Sequence, residues 1–311
     1  SEAVRICDLC GATSYEVICR RDRRGKPWNT VVCTGCGLVG HENIPSEDEL
    51  RNFYASTYRS EYHGEKTPSN RRIWRAWQKG ERLLGTLKSF LKPGDRLFEV
   101  GAGLGCTIKV FELAGFNASG LEPGTDFQHY SATKLRARIE HGEIFSHPIK
   151  EQYDVVFLVH VIEHFRSPRS ALQVIHRMIA PGGRLYMECP SLGTEHADPA
   201  ELFHYAHIHT FAPIPLLTML RRTGFEVEHT FSNGLGQNHK YLLRKVIPLD
   251  VPIDGSGYAQ AQEFLRTYHR PWHRFRPNYI GRRANRIRLY LREYLYGQGA
   301  VDQILRRCDA A

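Results

Sequence analysis

The fold of this chain is decided by the stretch Asp95-Arg-Leu-Phe-Glu-Val-Gly-Ala-Gly-Leu-Gly-Cys106, which reads as a buried strand, a glycine turn and the start of a helix. Three glycines, Gly101, Gly103 and Gly105, allow positive φ and a close approach of the backbone to a ligand at the carboxyl end of the strand. The spacing differs from the dinucleotide-binding pattern G-x-G-x-x-G, and an acid, Glu99, precedes the glycines. A carboxylate in that position suits a cationic ligand group better than a pyrophosphate.

The alternation of strands and helices continues after this turn. A second strand over residues 117–121 ends in Glu122-Pro123, and a buried strand at 153–159 runs into His160-Val-Ile-Glu-His164. The turn Pro181-Gly-Gly183 precedes a further strand. This order predicts an α/β fold with a doubly wound sheet. Glu122, at the tip of the second strand, is placed to accept hydrogen bonds from both hydroxyls of a ribose.

Four of the eight cysteines form two C-x-x-C pairs, Cys7-Asp-Leu-Cys10 and Cys33-Thr-Gly-Cys36. Two thiolates that are separated by two residues and lie next to glycines can point at one tetrahedral ion. The pattern therefore predicts a structural Zn²⁺ site in a small ribbon. A disulfide is the weaker alternative in a reduced compartment. A ribbon of about 40 residues is too small to hold a core alone, so we expect the metal to supply its folding energy. The other cysteines are expected to be buried small residues: Cys19, Cys106, Cys189 and Cys308.

The glycine loop, the acid of the second strand, the segment His160–His164 and the Pro-Gly-Gly turn together resemble the class I S-adenosylmethionine-dependent methyltransferases, in matching order from about residue 85 to 245. The resemblance implies a seven-stranded Rossmann-like core that binds S-adenosylmethionine. The glycine loop would surround the methionyl end of this cofactor, and the strand-two acid would hold its ribose. The cofactor-binding residues implied in this way are Glu99, Gly101, Gly103, Glu122, Pro123, Gly142, Glu143 and His160.

The acceptor side is expected in the histidine-rich segment at 203–211. This segment is similar to one in the zinc-containing sugar C-methyltransferases of antibiotic pathways, which implies that His207 is the base. His204 and His209 are further candidates. Here Ala206 stands in place of their acid, and we expect no second Rossmann-like domain, so we expect a hydroxyl of a sugar or small molecule as the acceptor. A helix-capping or packing role for His207 is the alternative. By the same resemblance, Tyr62 is a candidate catalytic residue on a lid, although the spacing of Tyr54, Tyr58 and Tyr62 also suits an ordinary packed helix face.

The charge balance suggests an anionic partner. The chain has 42 Lys and Arg against 33 Asp and Glu, and eleven of the arginines lie between Arg266 and Arg307, opposed there by two acids. The C-terminal helices are therefore expected to bind a phosphorylated or nucleic-acid partner, or to present a solvated face. Tyr290, Leu291, Tyr294 and Leu295 could form an apolar stripe on them.

The organisation that we predict has four parts: a zinc ribbon at 1–45, a helical connector or lid at 46–90, the methyltransferase core at 91–246 and a basic helical appendix at 247–311. The apolar runs are too short for a membrane helix, and no secretory signal is visible, so a cytoplasmic location is expected. Two alternative functions remain open. They are a zinc-ribbon RNA methyltransferase, because the tail is basic, and a non-catalytic binding module.

Overall fold

The computed structural model describes residues 5–53, 68–149, 151–193, 201–232, 238–268, 275 and 277–310. By their internal contacts the residues form two compact units. The first unit comprises Ser1–Glu47, Leu158–Arg177 and Pro181–Arg282, and the second comprises Asp48–Phe157, Met178–Ala180 and Arg283–Ala311. Tyr54, Tyr58 and Tyr62, the predicted lid residues, lie outside the described residues.

The described strands and helices alternate along the middle of the chain. In chain order the strands are β1 (Tyr15–Arg21), β2 (Pro27–Cys33), β3 (Val39–His41), β4 (Arg96–Val100), β5 (Asn117–Glu122), β6 (Ile139–His141), β7 (Tyr153–Val159), β8 (Ile179–Pro190), β9 (His209–Thr210), β10 (Phe225–Thr230) and β11 (Asn238–Lys245). The α-helices are α1 (Glu47–Asn52), α2 (Asn70–Leu87), α3 (Cys106–Leu113), α4 (Thr125–Tyr130), α5 (Pro168–Met178), α6 (Pro213–Arg222), α7 (Ser256–Tyr268) and α8 (Pro277–Asp309).

Two sheets organise these strands. The larger sheet has seven strands in the order β10-β11-β8-β7-β4-β5-β6, in which β4, β5 and β6 pair in parallel and β11 pairs antiparallel with both β8 and β10. The smaller sheet has the order β1-β2-β3-β9 with antiparallel pairing throughout. The predicted seven-stranded α/β core is therefore confirmed, and β1 and β2 form an antiparallel pair between the two cysteine pairs.

Burial explains why the central strands are almost continuously apolar. In β7, Val155, Val156, Phe157 and Leu158 are each at most 1% exposed. Strands covered on both faces read as unbroken apolar runs, without the alternation of a sheet that faces water. Helix α2 buries Ile73, Trp77, Gly80, Leu83 and Leu87, which share one helix face.

The sequence pattern predicts helices over 71–90 and 277–296, whereas α2 ends at Leu87 and α8 continues to Asp309. These ends differ because helix ends depend on packing as well as on local signals. Strand β8 already begins at Ile179, so it includes the Pro-Gly-Gly turn. The prediction for Cys19 was wrong: this residue is half-buried on β1, and its thiol donates to the carbonyl of Arg21, whereas Cys106, Cys189 and Cys308 are buried.

Two arginines of the basic helix α8 contact aromatic rings within the second unit. The guanidinium of Arg292 lies 5.1 Å from the ring centroid of Trp74, and that of Arg307 lies 5.2 Å from that of Trp77. The predicted apolar stripe faces solvent, with Tyr290, Leu291, Tyr294 and Leu295 between 51% and 80% exposed. In the described part of the chain, none of the helices combines the length and the hydropathy that a membrane crossing needs.

We expect a glycine with positive φ to tolerate alanine better where there is space for the added Cβ. Gly105 and Gly115 both have positive φ (69° and 89°), so alanine at either site costs about 1 to 2 kcal/mol. A Cβ at Gly105 would also lie 2.0 Å from Oγ of the buried Ser131, whereas at Gly115 no atom of the described residues lies within 4 Å. Gly105→Ala should therefore lose about 1 to 3 kcal/mol more of the free energy of unfolding than Gly115→Ala. Urea denaturation of both variants measures this difference, and equal losses would contradict the packing described.

Candidate active site

The glycine loop of the second unit turns back at the carboxyl end of β4. Gly101, Gly103 and Gly105 all adopt positive φ, at 71°, 55° and 69°. The backbone N–H groups of Gly101 and Ala102 donate to the carbonyl of Leu121 at 2.8 and 2.9 Å, which ties the loop to the end of β5. Residues other than glycine rarely adopt this conformation, and the loop follows from the sequence as predicted.

The carboxylate of Glu122 holds two loops together in the same unit. Its Oε2 accepts a hydrogen bond from the Gly103 N–H at 2.8 Å, and its Oε1 accepts one from the Gly124 N–H, also at 2.8 Å. A carboxylate has about four acceptor positions, so the two amide donors do not by themselves occupy all of them. The two predicted cofactor elements, the glycine loop and the strand-two acid, are thus in direct contact.

Glu99 lies beneath this loop and is 6% exposed. Burial raises the pKa of its carboxyl to about 8; the Lys79 ammonium opposes this shift and the Glu122 carboxylate adds to it. The Oε2 atom of Glu99 has no hydrogen-bond partner among the described residues. A cationic group beside this atom would favour the ionised carboxylate, so the chemistry of Glu99 fits the cationic ligand group expected from the sequence.

The remaining predicted cofactor-binding residues of the second unit lie near Glu122 along the chain or in the sheet. The Gly142 N–H donates to the carbonyl of Glu122 at 3.2 Å, and the Pro123 carbonyl lies 3.1 Å from Nε2 of His141. Oε1 of Glu143 lies 3.7 Å from Nε of Arg51. The structure therefore groups Pro123 and Gly142 with Glu122, whereas Glu143 is in an ion pair.

His160 belongs to the first unit and has a strained backbone, with φ at +57°. Its N–H donates to the Glu188 carbonyl at 2.8 Å, and its Nε2 lies 3.3 Å from Oε1 of Glu188. Asn238 donates to the same Oε1 at 2.7 Å. Nδ1 of His160 lies 3.4 Å from Oε1 of Glu163. Sequence reasoning missed Glu163, Glu188 and Asn238. The one available signal was Glu188, an acid between the apolar residues Met187 and Cys189 of β8.

Three further histidines of the first unit form a cluster. The ring centroid of His207 lies 3.8 Å from that of His204 and 5.0 Å from that of His164. Burial lowers the pKa of His204 to about 2 and that of His207 well below its usual value, and neighbouring positive charges add to both shifts. Both imidazoles are therefore neutral at pH 7. His209 is apart from this cluster, with its Nε2 3.1 Å from the Arg166 carbonyl.

The four cysteines of the two C-x-x-C pairs also meet in the first unit. Sγ of Cys7 lies 3.6 Å from Sγ of Cys36, and Sγ of Cys10 lies 3.5 Å from Sγ of Cys33. All four sulfurs lie within 4.8 Å of one another. Cys7, Cys33 and Cys36 are buried, and Cys10 is half-buried. The sequence spacing thus predicted this cluster correctly.

Known proteins resemble this chain in sequence. The profile of a family described as "Methyltransferase domain" matches residues 70–230. Ubiquinone biosynthesis O-methyltransferases of Pseudomonas syringae pv. tomato and Pseudomonas putida are 28% and 27% identical over 100 residues, which cover 30% of this chain. The chain spans 43% of the length of each of these relatives.

Solved methyltransferase structures are similar to this chain. The CcbJ methyltransferase from Streptomyces caelestis is 12% identical, with a TM-score of 0.50 over 63% of this chain and 99% of that protein. Magnesium protoporphyrin IX methyltransferase from Synechocystis PCC 6803 with bound SAH is 13% identical, with a TM-score of 0.49 over 64% of this chain and all of that protein. The family profile spans just over half of the sequence, and the larger sheet has the seven strands that the resemblance to class I methyltransferases implies. This chain belongs to the methyltransferase domain family.

Proposed function

We propose that this chain is an S-adenosylmethionine-dependent methyltransferase that acts on a hydroxyl of a sugar or small biosynthetic intermediate. The observation that carries the proposal is the Glu122 carboxylate, held by the amides of Gly103 and Gly124 at the ends of two parallel strands. This is where an open α/β sheet binds a nucleoside. The relatives named above are O-methyltransferases, which supports a hydroxyl acceptor.

The bound cofactor would supply a methyl group on a sulfonium. In this proposal Glu122 accepts hydrogen bonds from the ribose, and Glu99 pairs with the cationic amine of the methionyl end. Gly103 leaves room for the ligand, since a Cβ there would meet no atom of the described residues within 4 Å, and Gly101 is proposed beside it. Pro123, Gly142 and Glu143 are proposed near the adenine, and His160 is proposed as a further cofactor residue.

The acceptor hydroxyl must lose its proton, either to a base or with the help of a group that lowers the pKa of the hydroxyl. We propose His207 for this activation, with His204 beside it and Tyr62 as a further catalytic residue. The neutral state of His207 supports the role, because a protonated imidazole cannot accept a proton. From the sequence, His207 is expected to act as the general base.

A structural Zn²⁺ ion at Cys7, Cys10, Cys33 and Cys36 is a second part of the proposal. Four sulfurs at about 2.3 Å from a tetrahedral ion lie about 3.8 Å apart, and the observed separations of 3.5 and 3.6 Å are close to this value. The four predicted parts, 1–45, 46–90, 91–246 and 247–311, are carried forward as the domain organisation. Because zinc binding requires reduced thiols, we keep a cytoplasmic location in the proposal.

An anionic partner of the C-terminal helix α8 is also kept as a proposal. The support is that Arg283, Arg286 and Arg288 are exposed. Their guanidinium groups present several positive charges on one helix, which favours phosphate groups.

The cofactor site predicts a loss of affinity in Glu122→Ala. Hydrogen bonds to a charged group contribute roughly 1.5 to 3 kcal/mol, so the dissociation constant for S-adenosylmethionine should rise about tenfold or more. Isothermal titration measures it, with circular dichroism as the folding check. Glu228→Ala is the control, because that carboxylate pairs with Arg184 instead. A chain that does not bind S-adenosylmethionine at all would remove the enzyme proposal and leave the binding module.

The acceptor proposal predicts a rate effect that leaves cofactor binding unchanged. His207→Ala should lower the methyl-transfer rate by about 10² to 10⁴, the usual contribution of a positioned acid-base group. Labelled cofactor with a panel of sugar and small-molecule hydroxyl acceptors supplies the assay. His229→Ala is the matched control, since His229 is exposed on β10. A fully active His207→Ala enzyme would refute the role proposed for this residue.

The cysteine cluster predicts bound zinc in protein never exposed to chelator. Cys10→Ser should contain about one ion per chain less than the unaltered protein, and its stability should fall because the ion holds the ribbon together. Cys19→Ser serves as the control, since Cys19 lies outside the cluster. Metal analysis by mass spectrometry gives the count. Less than about half an ion per unaltered chain would exclude the site.

A further inference from the structure

A buried carboxylate in the first unit lacks the partners that its burial demands. Glu163 is 1% exposed, and neither Oε1 nor Oε2 accepts a hydrogen bond from any residue that the structure describes. Leaving a buried carboxylate without hydrogen bonds or a bound cation is costly in free energy. The side chains facing Oε1 are imidazoles, with Nδ1 of His160 at 3.4 Å and Nε2 of His164 at 4.0 Å.

The ring of His164 is oriented as a metal ligand would be. Its Nδ1 lies 2.6 Å from the Ala206 carbonyl, and because a carbonyl oxygen only accepts, Nδ1 carries the proton. The lone pair of the neutral ring is then on Nε2, the nitrogen nearer to Glu163. Histidines that bind metals commonly donate their other N–H to a backbone carbonyl in this way.

His207 supplies a third donor atom at the same place. One ligand atom from each of Glu163, His164 and His207 lies within 4.8 Å of the other two. Two ligands at about 2.0 to 2.2 Å from one ion are at most about 4.4 Å apart, so small side-chain rotations would bring all three onto a cation. Glu163 and His164 are adjacent on the short helix Ile162–His164, and the His207 N–H donates to the His204 carbonyl at 2.9 Å. These backbone constraints keep the three side chains near one another.

We propose that Glu163, His164 and His207 bind one divalent transition-metal ion. Two imidazoles with one carboxylate favour ions from manganese to zinc over calcium or magnesium, which prefer oxygen ligands alone. Three protein ligands leave positions open for an oxygen of a substrate or water. The cluster is distinct from the four cysteines, which are the other group of this kind among the described residues.

The inference rests on the proposed function when it assigns a role to this ion, and it specifies how His207 acts. A cation that binds the acceptor hydroxyl lowers the pKa of that hydroxyl, so its proton can leave to water. The oxygen electron pair then forms the bond to the methyl carbon, while the carbon–sulfur bond breaks and its electron pair stays on sulfur. In this form His207 holds the ion and water takes the proton, which replaces the general-base role proposed above for His207.

The test uses Mn²⁺ as the probe, because thiolates are poor ligands for it and the cysteine cluster contributes little. Equilibrium dialysis with electron paramagnetic resonance should show one Mn²⁺ bound per intact chain. Glu163→Gln and His207→Ala should each weaken binding at least about tenfold, because each removes one of three protein ligands. His229→Ala, a change to an exposed histidine of the same unit, should leave it unchanged.

Folding is monitored on the same samples. Glu163→Gln keeps the shape of the side chain, and Mn²⁺ should raise the Tm of the unaltered protein but not that of this variant. Two results would overturn the site: no Mn²⁺ binding by the unaltered chain, or equal binding by Glu163→Gln.

Failure of the metal site and failure of the proposed function give different results. Methyl transfer that needs no added metal and survives Glu163→Gln removes the ion and leaves the methyltransferase. Mn²⁺ binding that depends on Glu163, in a chain that does not bind S-adenosylmethionine, supports the site and removes the proposed function.

Discussion

The Glu122 carboxylate is the group that fixes the glycine loop of this protein. It accepts hydrogen bonds from the amides of Gly103 and Gly124, so one side chain fixes the loops after two neighbouring parallel strands. This geometry needs a backbone in the left-handed region at 101, 103 and 105, and only glycine adopts it readily at three positions so close together. The stretch that decides the fold and the loop that we propose for the cofactor are therefore the same residues.

Burial of ionisable groups is the second constraint, and it is concentrated in the first unit. His160 has a positive φ, and Glu163 and Glu188 are buried acids. His204 is a buried imidazole and His207 is a half-buried one, and the pKa of both is lowered. A core built only for stability avoids such groups, because each pays a desolvation penalty. Strain and burial of this kind collect at functional sites, where a ligand or ion supplies the missing partner.

The cysteine pairs are connected to the rest of the first unit by their own knuckle residues. Asp8, between Cys7 and Cys10, accepts hydrogen bonds from Oγ of Ser167 and N–H of Arg169 at the start of α5. The carbonyl of Leu9 accepts a hydrogen bond from Arg222 on α6. In our proposal zinc orders these knuckles, and their hydrogen bonds connect them to α5 and α6. Helix α5 follows directly after the segment that carries His160, Glu163 and His164.

The sequence alone determined the features that depend on short-range patterns. The buried strand and glycine turn at 95–106, the acid at the end of β5 and the two C-x-x-C pairs are local signals, and the structure bears out the seven-stranded sheet and the cysteine cluster. Only the tertiary structure brought His160 to Glu188 and Asn238, which are 28 and 78 residues away, and placed Glu163 among imidazoles without a hydrogen bond from any described residue. Strand pairing and burial create those contacts, and neither is encoded by the spacing of a motif. The same reason explains why Cys19 and the apolar residues of α8 are more exposed than their patterns indicated, because periodicity shows which residues share a face but not what covers that face.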